Sequence, residues 1–327
     1  MLETKLTKKW SISGLVMLMM VLSLGAPVSY ASTGLIDPNL LPDAEVDTVE
    51  DDRLINDSDT STEIEVFLEN PSITMSKEDE EVNITHEDPD LEYIETVDGK
   101  VIFKNELEEY SVENIPLIGG AQILYNIESS TSPKKYVLDL KLAEDSRLVY
   151  ENGEYMIVNA LGEVEVLIGA PWAKDSKGQA VKTSYEIKDN QLIQHIEYEG
   201  ENYPLIADPL FCSDTIDNTA SKYTDSNTFS VFPRTCARTY ITASYTLGGA
   251  LVGVFGSTAI GIQMWSEVAA DASYKATSTT YRARLKDQFV CHAVNPLTIW
   301  KSSWNLDTNR PDVSLAATYR AGCNPEY

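Results

Sequence analysis

Three residues near the end of the chain have types suited to proton chemistry: His292, Asp307 and Arg310. His292 adjoins Cys291, so a disulfide at that cysteine would hold the imidazole in a fixed place. A fixed histidine beside Asp287, Asp307 or Asp312 could act as a general base, with Arg310 stabilising an anionic intermediate. The same residues also have a structural use. In a small disulfide-stapled domain, a histidine and an arginine can equally satisfy buried carbonyls and carboxylates. Both readings stay open, because the chain has no Gly-x-Ser-x-Gly, His-Glu-x-x-His or phosphate-loop pattern to decide between them.

All the cysteines (Cys212, Cys236, Cys291 and Cys323) lie in this last third. In an exported chain they are expected to be oxidised. Three connectivities are possible, and sequential pairing, Cys212 with Cys236 and Cys291 with Cys323, is the expected one. The spacing includes no Cys-x2-Cys pair, and His292 adjoins Cys291 too closely for both to reach one metal easily, so no metal site and no cofactor are expected. Trp265, Trp300 and Trp304 form either core or a ligand-stacking wall. Between Arg238 and Glu267 the chain carries no charge, and Gly249, Gly253, Ser257 and Gly261 recur at every fourth position. That spacing lets two helices approach closely, either as a membrane-inserting element or as a buried glycine-rich helix or hairpin.

The elements that must position these residues follow from charge and periodicity. Residues 1–31 have the parts of a secretory signal: Lys5, Lys8 and Lys9, an apolar run from Leu15 to Leu24, and Ser29-Tyr30-Ala31 for cleavage. Residues 32–96 hold 21 acidic residues against Arg53 and Lys77, which is read as a disordered acidic arm. No glycine lies between Gly34 and Gly99, which argues against an EF-hand-type calcium loop in the arm. Residues 97–211 change to period-two apolar patterning, as in Leu138, Leu140 and Leu142. Hairpins are expected around Asn159-Ala160-Leu161-Gly162 and Lys188-Asp189-Asn190, giving a β-rich leader domain. Residues 212–327 carry 9 acids and 10 bases within a chain of net charge −26. The whole chain therefore repels nucleic acid and anionic lipid, whereas its last third does not.

The motifs Gln288-Phe289-Val290-Cys291-His292, Lys301 to Asp307, Arg310-Pro311-Asp312-Val313 and Cys323-Asn324-Pro325 resemble the bacterial secreted family catalogued as domain of unknown function 2599. That resemblance spans about residues 212–325 and implies no established activity. Ala170-Pro171-Trp172-Ala173-Lys174-Asp175 and Tyr203-Pro204-Leu205-Ile206-Ala207-Asp208-Pro209 resemble a leader domain that precedes varied C-terminal domains in secreted proteins of Gram-positive bacteria. The expected fold class is α+β, an antiparallel β-rich leader followed by a small disulfide-stapled α+β domain. The expected protein is secreted and extracellular. It is an effector or interaction module acting on another cell or on the envelope, with a bacterial membrane or envelope component as partner. The alternatives are a secreted hydrolase (nuclease or glycan-cleaving) that uses His292, and a non-catalytic envelope-binding protein.

Overall fold

Alternation of apolar and polar residues builds most of this chain into antiparallel sheets. The computed structural model describes residues 46, 48–50, 52–56, 62–77, 80–151, 153–218, 220–242, 261–262, 264–269, 274, 279–295, 298–299 and 301–326. The expected signal over residues 1–31, Trp300 and most of the glycine-rich run lie outside them. One sheet has eight strands, in the order 48–49, 53–56, 62–67, 72–77, 80–86, 135–141, 191–197 and 182–188. Its buried face carries Ile64, Val66, Ile73, Ile84, Leu138 and Leu192, all at most 2% exposed. The hairpins expected around residues 159–162 and 188–190 are formed, by strands Glu154–Val158 with Val164–Ile168 and by Lys182–Lys188 with Gln191–Glu197.

The first five strands of that sheet correct the expectation of a disordered arm over residues 32–96. Composition averages over the segment, but folding depends on alternation. In Thr62–Phe67, Ile64 and Val66 point into the core while Glu63 and Glu65 point out. Each buried aliphatic side chain contributes roughly 1.5–3 kcal/mol, comparable to the backbone ordering cost of about 1–2 kcal/mol for its own residue, and paired strands supply the rest through shared burial. The surplus carboxylates remain on the wet face, and Glu65 accepts a hydrogen bond from Arg53 at 2.7 Å.

A second sheet of ten strands has the main order 147–151, 154–158, 164–168, 210–212, 120–127, 110–117, 100–105 and 92–97. Its central strands are buried on both faces, while the edge strand 92–97 is exposed throughout. Along Gly120–Ile127, Ala121, Ile123, Tyr125 and Ile127 enter the core shared with the first sheet, whereas Leu124 enters a second core. Ile115, Leu117, Leu167 and Leu210 join Leu124 there, packed with Phe229, Tyr240, Phe289 and Trp304 from the last third of the chain. The boundary expected between residues 211 and 212 therefore falls inside a strand, Leu210–Cys212, which pairs with both 164–168 and 120–127. Residues 35–327 form one compact unit. The last third adds a three-stranded antiparallel sheet (222–223, 228–231 and 304–307) and helices Thr279–Val294 and Leu315–Arg320. Its four cysteines pair sequentially, Cys212 with Cys236 and Cys291 with Cys323.

The second sheet meets the last third at a point where there is no room for a side chain. A Cβ on Gly120 would lie 2.1 Å from the Phe211 carbonyl oxygen and 2.5 Å from Cys236 Sγ, and one on Gly119, at φ +81°, would lie 2.1 Å from the Asp214 carbonyl oxygen. Beside this contact the buried Arg234 pairs with Asp214 at 3.1 Å. The Glu267 carboxylate accepts the backbone N–H groups of Thr215 and Ile216 at 3.0 and 3.1 Å and the Thr215 hydroxyl at 2.6 Å. Gly120→Ala is expected to cost at least about 3 kcal/mol in urea unfolding, because backbone rather than a flexible side chain must move. Gly162→Ala, where nothing lies within 4 Å of the added carbon, tests φ strain alone and should cost about 1 kcal/mol.

Candidate functional site

The outer face of the three-stranded sheet is polar by alternation. Strand Trp304–Asp307 buries Trp304 and Leu306 and turns Asn305 and Asp307 the other way. Its register against Thr228–Val231 sets Thr228 opposite Asp307 and Ser230 opposite Asn305. The Thr228 hydroxyl donates to Asp307 Oδ1 at 2.8 Å, and the Ser230 hydroxyl donates to Asn305 Oδ1 at 2.8 Å. Arg310 Nε meets the other Asp307 oxygen at 3.0 Å. Both carboxylate oxygens are thus engaged.

Helix Thr279–Val294 places a line of residues against this sheet. Leu285, Gln288, Phe289 and His292 fall at i, i+3, i+4 and i+7, a single helical face, and all are buried. Gln288 uses both ends of its amide on the Asp307 backbone: Nε2 donates to the carbonyl at 2.9 Å, and Oε1 accepts from the N–H at 2.8 Å. The side chain thereby supplies the paired hydrogen bonds that a further strand would make. One turn later His292 lies against Trp304, with ring centroids 6.3 Å apart and planes 15° from parallel. Thr298 donates to the His292 carbonyl at 2.7 Å, closing the end of the helix, and its own carbonyl accepts the Trp304 indole N–H at 3.0 Å.

The remaining wall comes from the chain terminus. Helix Leu315–Arg320 starts at Ser314, whose hydroxyl accepts from the Ala317 N–H. It ends with Gly322 at φ +63° and paired bonds from the Gly322 N–H to Tyr319 and from the Cys323 N–H to Thr318, each 3.0 Å. This cap aims Cys323 at Cys291 on the long helix, and Asn324 follows directly. The loop leading to the short helix is held by Arg284, which donates to the carbonyls of Thr308 and Arg310 at 3.0 and 2.9 Å.

Together these elements enclose a cleft of about 360 Å³, within the usual range for small-molecule sites. His292, Asp307 and Arg310, three of the residues singled out in the sequence, all line it, with Lys301, Asn305 and Asn324 among the others. Charge in the cleft is balanced, Lys301 and Arg310 against Asp225 and Asp307. Hydrogen bonds from the backbone N–H groups of Asn227 and Thr228 hold the Asp225 carboxyl below its ordinary range. His292 is 2% exposed, and neither ring nitrogen has a hydrogen-bond partner of normal geometry. Burial, reinforced by the Lys301 charge, pushes its imidazole down to about 4, while the Asn305 backbone and Asp307 oppose this weakly. At neutral pH the ring is uncharged, with one N–H to donate and one lone pair to accept.

The other residues singled out in the sequence do different work. Trp304 is fully buried, and Trp265 packs on Tyr274 and Phe289 at 5.1 and 5.5 Å, so these two are core rather than a stacking wall. Asp287 and Asp312 do not line the cleft. Of the glycine series, Gly261 is described. A Cβ there would lie 3.2 Å from Ala293 Cβ, so its small size serves packing against the long helix. Among the described residues, no group of three His, Cys, Asp or Glu side chains could hold a metal ion, and no helix is long and apolar enough to cross a membrane. Sequence reasoning missed Gln288, Thr228, Asn305 and Lys301. Two signals were present: Gln288 precedes His292 by four residues, and Asn305 and Asp307 alternate with apolar neighbours.

The His292 ring links this site to stability. An unfolded histidine takes up its proton near 6.5, the folded ring only near 4, so between those values the unfolded chain binds more protons and folded stability falls as pH drops. His292→Phe removes that loss. From pH 7 to pH 4, the unfolding free energy of the variant should gain on the parent by on the order of 3 kcal/mol. Urea denaturation at the two pH values measures this, and a constant difference would mean that the ring is charged in the folded protein.

No curated protein and no solved structure matches the chain. Residues 216–326, which contain every residue named around the cleft, match the family described as "Protein of unknown function (DUF2599)".

Proposed function

We propose that the protein is exported and that its last third is a recognition module, of the cell envelope or of another cell, whose cleft takes a neutral hydroxyl-rich group such as a sugar residue. Export is supported by the signal-like residues 1–31 and by two disulfides, which persist in oxidising compartments. The observation that carries the ligand class is the buried, uncharged His292 at the cleft, neither ring nitrogen of which has a hydrogen-bond partner of normal geometry. Leaving such groups unpaired is costly, and a hydroxyl, which both donates and accepts, matches a neutral imidazole better than an anion, which can only accept. Balanced charge and planar polar walls at Asn305, Asn324 and the Asp307–Arg310 pair suit the same ligand.

A hydrolase is the second reading, favoured by His292, Asp307 and Arg310 lining one cleft. Its chemistry is less well served. Asp307 has both oxygens occupied, and a histidine with its pKa near 4 is a weak base at neutral pH. Action as a toxin on another cell is the wider form of the effector reading and would use the same recognition step.

Calorimetric titration of the oxidised full chain with mono- and disaccharides, including N-acetylated hexosamines, tests the proposal. Saturable binding is expected, weakened about five-fold by Asn305→Ala at the exposed wall and more by His292→Phe, since each removes a hydrogen bond to the ligand. Absence of saturable binding, or binding indifferent to both substitutions, overturns it. Release of new reducing ends that stops with Asp307→Asn would instead establish the hydrolase.

A further inference from the structure

A second cavity, of about 330 Å³, opens in the part of the protein that precedes the matched family region. Its inner wall is made of tyrosines. Tyr125 and Tyr136 lie ring on ring at 4.4 Å, and Tyr110 meets Tyr136 edge-on at 5.1 Å. Tyr136 is 4% exposed, lines the cavity, and its hydroxyl has no hydrogen-bond partner. The mouth is acidic, with Glu87, Asp88, Asp90 and Glu108 against Lys135.

Two neighbours, Asp88 and His86, define the chemistry. Asp88 accepts hydrogen bonds from the Tyr110 hydroxyl, from Asn105 Nδ2 at 2.8 Å and from the Asp90 N–H at 2.9 Å. Although burial opposes it, those bonds keep the Asp88 carboxyl below its ordinary range, and so charged. His86 is buried at the back, its Nε2 3.2 Å from Asn114 Oδ1 and its Nδ1 3.5 Å from the Tyr125 hydroxyl. Burial holds it near 4, so it adds no positive charge at neutral pH. Around the cavity, residues 32–211 carry 41 acids against 12 bases, a field that draws cations toward this half of the molecule.

We propose that this cavity binds a primary alkylammonium group, with the Asp88 carboxylate as counter-charge and the Tyr136 hydroxyl oxygen as acceptor. An ammonium brings three donors and a full charge, which is what one anchored carboxylate, an unpartnered phenol and an acidic mouth lack. A metal ion is the poorer occupant, because among the described residues no three His, Cys, Asp or Glu side chains converge. The group can be borne by a lysine side chain of a peptide or by a free diamine. Nothing in this site depends on the sugar cleft, which is built from other residues.

The test uses the oxidised full chain at fixed ionic strength, titrated calorimetrically with Nα-acetyl-lysine amide, with 1,5-diaminopentane and with tetramethylammonium. Saturable binding of the first two is expected. The tighter of them names the source, and tetramethylammonium, which has no donor, should bind at least ten-fold more weakly. Tyr136→Phe removes a hydroxyl that makes no bond in the free protein, so the variant should keep the thermal midpoint of the parent while losing about ten-fold in affinity for the primary amines. Equal binding of tetramethylammonium, no saturable binding of either amine, or full affinity in a folded Tyr136→Phe variant overturns the proposal.

Discussion

At the turn that leads from strand 110–117 into strand 120–127, two residues without side chains lie directly on the backbone of residues 211–214 and on the sulfur of Cys236. Beyond residue 212 the described chain packs on the sheet from this contact and through the core it shares with Leu124, Leu167 and Leu210. The Cys212–Cys236 bond ties strand 210–212 to the helical residues 235–242. Arg234 with Asp214 and Glu267 with the backbone of residues 215 and 216 then fix the direction in which the chain leaves the sheet. A larger residue at either glycine would hold the two surfaces apart and open the core that Leu124, Leu167 and Leu210 share with Phe289 and Trp304.

That shared core changes what the charge of the chain means. Among the described residues, carboxylates of the first half such as Glu63 and Glu81 face outward on a sheet whose interior is apolar, so a large net charge and a packed core coexist in one compact unit. The last third is near neutral and presents a charge-balanced cleft. In salt the field of the acidic half falls off within about 10 Å, so the residues of the cleft set its local charge.

Local patterns in the sequence were legible where the period-two signal was not diluted by charge. The 135–141 strand and the hairpins at 159–162 and 188–190 announce themselves, as do the four cysteines. The strands at 53–86 do not, because glutamates and aspartates fill the outward positions and their number hides the alternation of Leu54, Ile64, Val66, Ile73 and Ile84. Composition changes between residues 211 and 212, but strand 210–212 runs across that change and pairs on both of its edges. In the cleft, His292, Asp307 and Arg310 stand out by type. Gln288 and Asn305 do not, since a buried amide that mimics a strand edge has no signature until the helix and the strand are seen side by side.

The bond between Cys291 and Cys323 helps to close the cleft, because with the Gly322 cap before it that link holds Asn324 in the wall. Reduction would leave the last residues held by the short helix, by the buried Pro325 and by Arg310 beside Glu326 at 4.0 Å. Oxidised thiols are thus part of the cleft itself, since its wall at Asn324 is fastened by a bond that an oxidising compartment keeps and a reducing one removes.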